Sequence, residues 1–105
     1  MKDRRQKIEA MLADEPEDPF LRYALALELE KEGEHDRSLD LLRGLMANSP
    51  PHVPSFLMAG QQLAGQDRLD EAREALRTGI EAARQQGEQH AAGEMGELLA
   101  SLGEL

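Results

Sequence analysis

The feature that most limits what this chain can become is a self-similarity at a period of 34 residues. Laid against itself at that offset, Ile8 falls on Leu42 and Leu76, and Leu12 on Met46 and Ile80. Met11 meets Leu45 and then Gly79, while Leu25 pairs with Ala59, Ala26 with Gly60 and Leu29 with Leu63. Pro16 and Pro50 take matching places, each just after an amphipathic segment, and no insertion is needed anywhere in the comparison. A repeat of this length is one supersecondary unit, too small to bury its own apolar face, so units must stack and share a core.

Composition says that the unit is helical. Ala, Leu, Glu, Arg and Gln dominate, and β-branched aliphatics are confined to Ile8, Val53 and Ile80. The former keep their rotamer freedom in a helix and the latter lose it. Aromatic residues are limited to Phe20, Tyr23 and Phe56, so the core has to be built from Leu, Ala and Met.

Breakers and caps then predict the helices. Residues 3–14 form a short amphipathic helix closed by Glu15-Pro16. Asp18-Pro19 supplies a capping carboxylate and a proline at the first helical position, for a helix running to about Glu32 and ended by Gly33. The next starts near Asp36 and stops before Ser49-Pro50-Pro51, where the backbone is steered out of the helical region. The pattern recurs from about Val53 to Gly65 and from Leu69 to about Gln86, the latter with a stripe of Leu69, Ala72, Leu76, Ile80 and Ala83 at the helical period. Turns this short allow only antiparallel neighbours.

The two ends differ from the middle. Residues 3–14 align with the second helix of a unit and are expected to cover the open side of the first full repeat. Residues 88–103 break the strict period, because His90, Gly93, Glu94 and Glu97 fall at its core positions. They carry their own stripe of Ala91, Met95, Leu98, Leu99 and Leu102, which predicts a capping helix. The expectation is one all-α domain over residues 1–105: a half repeat at 3–17, repeats at 18–51 and 52–86, and a cap at 88–103.

The residues that carry this pattern resemble the tetratricopeptide repeat family over roughly residues 3–86. The second unit matches through Phe56, Ala59-Gly60, Leu63, Leu69, Ala72, Leu76 and Gly79, and the first through Leu25-Ala26, Leu29, Gly33, Ser38, Leu42, Leu45 and Pro50. Arg22 stands where the family prefers an aromatic residue, and Arg84 where it has its closing proline. The resemblance implies a right-handed superhelix of antiparallel helix pairs. It also places Ala26 and Gly60 where two helices cross. Glycine inside a helix costs about 1 kcal/mol relative to alanine, so Gly60 and Gly79 are expected at close approaches.

In the resembling family the first helices of successive units line a concave groove. The implied partner-binding residues are Phe20, Tyr23, Leu27 and Lys31 from the first unit, and Leu57, Gln61 and Ala64 from the second. These positions lack the Lys, Arg and Asn cluster with which some members grip a peptide carboxylate, so an apolar or amphipathic helical segment is the expected ligand. The helix around Tyr23 is apolar on nearly all sides, and the surplus has to face a bound peptide, a second copy, or the C-terminal helix folded back.

Several functions are disfavoured. Twelve basic against 21 acidic side chains give a net charge of −9, which repels nucleic acid. The basic start through Lys2, Arg4, Arg5 and Lys7 reads as a solvated helix end. There is no cysteine, no signal-like stretch and no run near the ~20 apolar residues of a membrane span, so a cytoplasmic protein is expected. His35, His52 and His90 are scattered, which disfavours a metal site, and Asp14-Glu15-Pro16-Glu17-Asp18 lacks the ligand spacing of a calcium loop. The serines have no nucleophile-elbow context, and no glycine-rich phosphate loop follows a strand. No cofactor or catalysis is expected. The sequence therefore predicts an interaction module that holds a partner protein, or alternatively a structural subunit that buries the same apolar face in a homodimer.

Overall fold

The computed structural model describes residues 2–103, Lys2 for its backbone only. Among the described residues six helices follow one another: α1 (Lys2–Asp14), α2 (Pro19–Lys31), α3 (His35–Met46), α4 (Val53–Gly65), α5 (Leu69–Gln85) and α6 (Gln89–Ser101). There is no strand among the described residues. Local chemistry accounts for the boundaries. Asp18 caps α2, its Oδ1 accepting from the Leu21 N–H at 3.0 Å with Pro19 beginning the helix.

Three of the connections are the same turn. Glu32-Gly33-Glu34, Gln66-Asp67-Arg68 and Gln86-Gly87-Glu88 each place their middle residue in the left-handed region, at φ of 82°, 62° and 73°. In each, the residue after it donates its N–H five residues back: Glu34 to the Leu29 carbonyl at 2.9 Å, Arg68 to Leu63 at 2.9 Å, and Glu88 to Ala83 at 2.8 Å. This is the Schellman closure, for which glycine is the unstrained choice. Asp67 fills the same place with a side chain that tolerates it.

Sequential helices pack side by side into an elongated stack of 43 × 29 × 18 Å. Its core is a row of three clusters. Ile8 meets Leu25 and Leu29 between α1 and α2. Ala26, Leu39, Leu42, Ala59, Leu63, Ala72 and Ala75 join α2 to α5. Val53, Phe56, Leu76, Ala82, Ala83, Ala92 and Met95 join α4 to α6. The 34-residue equivalence holds in detail. Ile8, Leu42 and Leu76 are all buried, and Leu42 meets Ala59 and Leu63 just as Ile8 meets Leu25 and Leu29. Ala26 and Gly60 lie at crossings: Ser38 of α3 donates to the Ala26 carbonyl at 2.6 Å, and Leu76 of α5 occupies the space that a Gly60 side chain would need.

A polar seat repeats with the apolar ones. Glu28 of α2 is only 2 % exposed and accepts from the Arg4 Nε of α1 at 2.9 Å and from the Lys31 Nζ at 3.2 Å. One repeat later, Gln62 of α4 is buried and donates from Nε2 to the Ser38 Oγ of α3 at 3.0 Å. The partners are 24 residues apart in both cases. The first junction therefore carries a buried carboxylate held by largely exposed cations where the second carries a neutral hydrogen bond.

α6 packs on α5 and also on α4. It starts 20 residues after α5 starts, against 18 between α3 and α4, so its register slips by two. With that slip, Ala92, Met95, Gly96 and Leu99 fall on Phe56, Ala59, Gly60 and Leu63. Ala92 and Met95 are the residues buried, while Ala91, Leu98, Leu99 and Leu102 are half-buried. At the other end Met11 is 49 % exposed, although the equivalent Leu45 and Gly79 are buried. Those two sit between a preceding and a following helix, and α1 has only α2 against it.

Candidate partner-binding surface

α2 and α4 carry the residues expected to meet a partner. Phe20, in the first turn of α2, is 75 % exposed. Tyr23 is half-buried against the middle cluster, its ring 5.1 Å from that of His52 and tilted by 54°. Leu27 is half-buried. Lys31 is exposed, but its ammonium serves the Glu28 carboxylate. On α4, Leu57 is half-buried against the last cluster, Ala64 is half-buried against the middle one, and Gln61 is exposed.

The apolar surplus of α2 is largely consumed inside the fold, which corrects the inference that it must face a ligand, a copy or the C-terminal helix. α2 lies between α1 and α3, so it needs two buried stripes and not one. Leu25, Ala24 and Leu29 serve the α1 side, and Ala26 serves α3. What remains outward is Phe20, with half-buried Leu21 and Leu27. α6 is engaged by α5 and α4 and does not lie along α2.

Two groups beside this surface have shifted protonation. Burial pushes the His52 imidazole below its ordinary value; Arg22 adds to the effect and Glu88 opposes it. The ring is held by Ser55, whose Oγ is 2.8 Å from Nδ1. Burial raises the Tyr23 phenol. Arg22, at the seat where an aromatic was expected, is half-buried, reaches over Gly44 and pairs with Glu17 at 3.9 Å. Among the described residues no group of three or more His, Asp or Glu side chains converges as a metal ion would need, and no helix is long and apolar enough to cross a membrane.

A second feature is an open depression between α3 and α5, rimmed by the exposed Arg43, Glu71, Glu74 and Thr78, with Phe56, Ala59 and Leu63 of α4 buried beneath it. The pairings Leu25/Ala59 and Leu41/Ala75 in the 34-residue comparison were the available signal.

The solution structure of a tetratricopeptide repeat domain protein from Salinibacter ruber superposes with a TM-score of 0.78 and 36% identity, covering 83% of this chain and 88% of that one. The chain belongs to the tetratricopeptide repeat family. The crystal structure of such a Salinibacter ruber domain superposes with a TM-score of 0.76 and 35% identity, over 85% of this chain and 99% of that one. A protein from Bordetella parapertussis is similar at 28% identity and a TM-score of 0.79, over 94% of this chain and 86% of its own. No protein-family model matches the chain, and no curated protein matches it. The small residues Gly60 and Gly79 stand at close helix approaches of this stack, where Leu76 and, respectively, Phe56 with Met95 leave no room for a side chain. Tetratricopeptide membership assigns the chain to a class of helical-repeat interaction modules.

Proposed function

We propose that this tetratricopeptide repeat protein is a non-catalytic module of the cytoplasm that holds an apolar or amphipathic helix of another protein across the face of α2 and α4. The observation that carries the reading is Phe20. A large aromatic side chain three-quarters exposed on an ordered helix is costly to leave in water, by about 1.5–3 kcal/mol relative to burial. Half-buried Leu27, Leu57 and Ala64 extend the surface, and Gln61 and Lys31 rim it. A partner that packs on Phe20 recovers that energy and excludes water from the leucines beside it.

Phe20→Glu tests the reading without disturbing the core, since Phe20 is not part of it. Affinity purification of the wild type and the variant, each followed by mass spectrometry, should identify a protein retained by the first and lost by the second. Sedimentation at micromolar concentration decides the alternative, in which the same face is buried in a homodimer. A dimer that Phe20→Glu converts to a monomer assigns the surface to self-association. Identical partners and identical mass for both forms remove the surface from consideration.

A further inference from the structure

The two edges of the stack are complementary halves of one repeat. By the 34-residue period α1 is a second helix, with Ile8 and Met11 at the seats of Leu76 and Gly79. With the two-residue slip α6 is a first helix, with Ala92, Gly96 and Leu99 at the seats of Phe56, Gly60 and Leu63. Inside the stack these two kinds of helix pack against each other as α4 and α5. Among the described residues α1 packs on α2, and α6 on α5 and α4. Each edge helix thus shows the face that its counterpart would cover.

Exposure marks the same two faces. Gly60 and Leu63 are buried, but Gly96 and Leu99 at their seats are half-buried, and Ala100 is exposed where Ala64 is half-buried. A Cβ on Gly60 would strike Leu76 of α5, whereas one on Gly93 or Gly96 meets nothing within 4 Å. On α1, Met11 is 49 % exposed where Leu45 and Gly79 are buried. The sizes are complementary too. Inside the stack the large Phe56 faces the small Gly79, and at the edges the small Ala92 takes the first seat and the large Met11 the second. The charges also agree. α6 carries Glu94 and Glu97 with no Lys or Arg, while α1 begins with Lys2, Arg4, Arg5 and Lys7 against Asp3. On a chain of net charge −9 this is a pairing of faces that attracts.

We propose that α1 of a second copy docks on the open face of α6 as α5 docks on α4, with Met11 beside Ala92, Gly93 and Gly96, so that chains add head to tail. Ile8 is already buried by α2, so the new contact rests on exposed groups. These are Met11 and the aliphatic stems of Arg4 and Lys7, which hold the seats of Ala72 and Ala75. The two patches are different, so each addition leaves a fresh pair of faces and the contact does not close on itself. Two 13-residue helices, each about 20 Å long, bury less than the roughly 800 Å² per partner of a standard interface. Assembly is accordingly weak and grows with concentration. It does not depend on the α2/α4 face, because none of these residues lie there.

Sedimentation of the full chain from about 10 μM to about 1 mM reads the assembly. The mean mass should climb past that of a dimer without a plateau. Met11→Glu, an exposed change on α1, and Gly96→Arg, at an open seat on α6, should each raise the concentration for half association at least about tenfold. Gly93→Arg, at the neighbouring open seat, should act alike, and circular dichroism melts check that every variant is folded. The deciding sample is an equal mixture. The Met11→Glu copy keeps its α6 face and the Gly96→Arg copy keeps its α1 face, so together they should form a dimer that grows no further. Phe20→Glu should leave the assembly unchanged, whereas it abolishes binding at the α2/α4 face. A wild type that stays monomeric throughout, a mass that halts at the dimer, a mixture no heavier than its components, or assembly lost with Phe20→Glu overturns the proposal.

Discussion

Gly79→Ala places one extra carbon where three helices converge. A Cβ built on Gly79 would stand 2.8 Å from the Phe56 Cγ of α4 and 2.5 Å from the Met95 Sδ of α6, and closer still to the Phe56 Cβ. Ordinary contact begins at 3.4 Å. The Met95 thioether can turn aside, but the Phe56 Cβ moves only with its backbone. Two effects oppose each other. Alanine within a helix is favoured over glycine by about 1 kcal/mol. Forcing an atom into a packed core costs about 1–3 kcal/mol, and a rigid neighbour puts this site in the upper half of that range. The net expectation is a loss of about 1–2 kcal/mol. Gly93→Ala is the internal control, because nothing lies within 4 Å of its added Cβ. That variant keeps the propensity gain of about 1 kcal/mol, so the two should differ by about 2–3 kcal/mol. For a domain of about this size, the difference in Tm is on the order of 10–20 °C. Urea and thermal denaturation followed by circular dichroism measure it, with unchanged m-values as the check on two-state behaviour. If Gly79→Ala proves as stable as Gly93→Ala, the close approach of α4, α5 and α6 is wrong, and with it the physical reason for a glycine at that position.

Three further outcomes follow from polar groups. Gln62 is buried and its Oε1 has no hydrogen-bond partner among the described residues, while the Ser38 hydroxyl keeps its bond to the Ala26 carbonyl without it. Gln62→Leu should therefore be neutral or raise the denaturation midpoint, and a clear loss would show the amide to be needed. His52 should titrate below its ordinary value of about 6.5 in nitrogen-detected NMR. The unfolded state then takes the proton first, so stability declines as pH falls below that value. Tyr23→Ala, by uncovering the ring, should move the midpoint up, and no movement refutes the role of burial. Burial raises the Glu28 carboxyl, but the bonds from Lys31 and Arg4 outweigh it and leave it below the usual range. Its contribution is present above the ordinary glutamate value and disappears as pH falls through the lowered one. Arg4→Gln should bring its carbon-detected titration upward, and an unmoved midpoint would disconnect the pair.

Helix limits were legible because breakers are local: Asp18-Pro19, Gly33 and Ser49-Pro50-Pro51 act on the backbone next to them. The 34-residue period was legible because Ile8, Leu42 and Leu76 share one environment. What escaped has a common cause. Periodicity reports that a face is apolar and not how many neighbours press on it, so the double engagement of α2 by α1 and α3 has the sequence signature of a surplus. α6 was judged at the strict period, and its two-residue slip, set by the greater length of α5, concealed Ala92, Met95, Gly96 and Leu99 at the seats of a first helix. The α3/α5 depression is a matter of volume. Leu25/Ala59 and Leu41/Ala75 both read as apolar matches, and an apolar pattern carries no measure of side-chain size.

The alternation at the repeated polar seat gives the molecule a preferred direction of fraying. Arg4–Glu28 tethers the first helix by charges that acid neutralises and salt dilutes, whereas Ser38–Gln62 feels neither. A stack of near-independent neighbours should accordingly peel from its amino-terminal edge when the solution turns acidic, with α4, α5 and α6 retained as the most durable block.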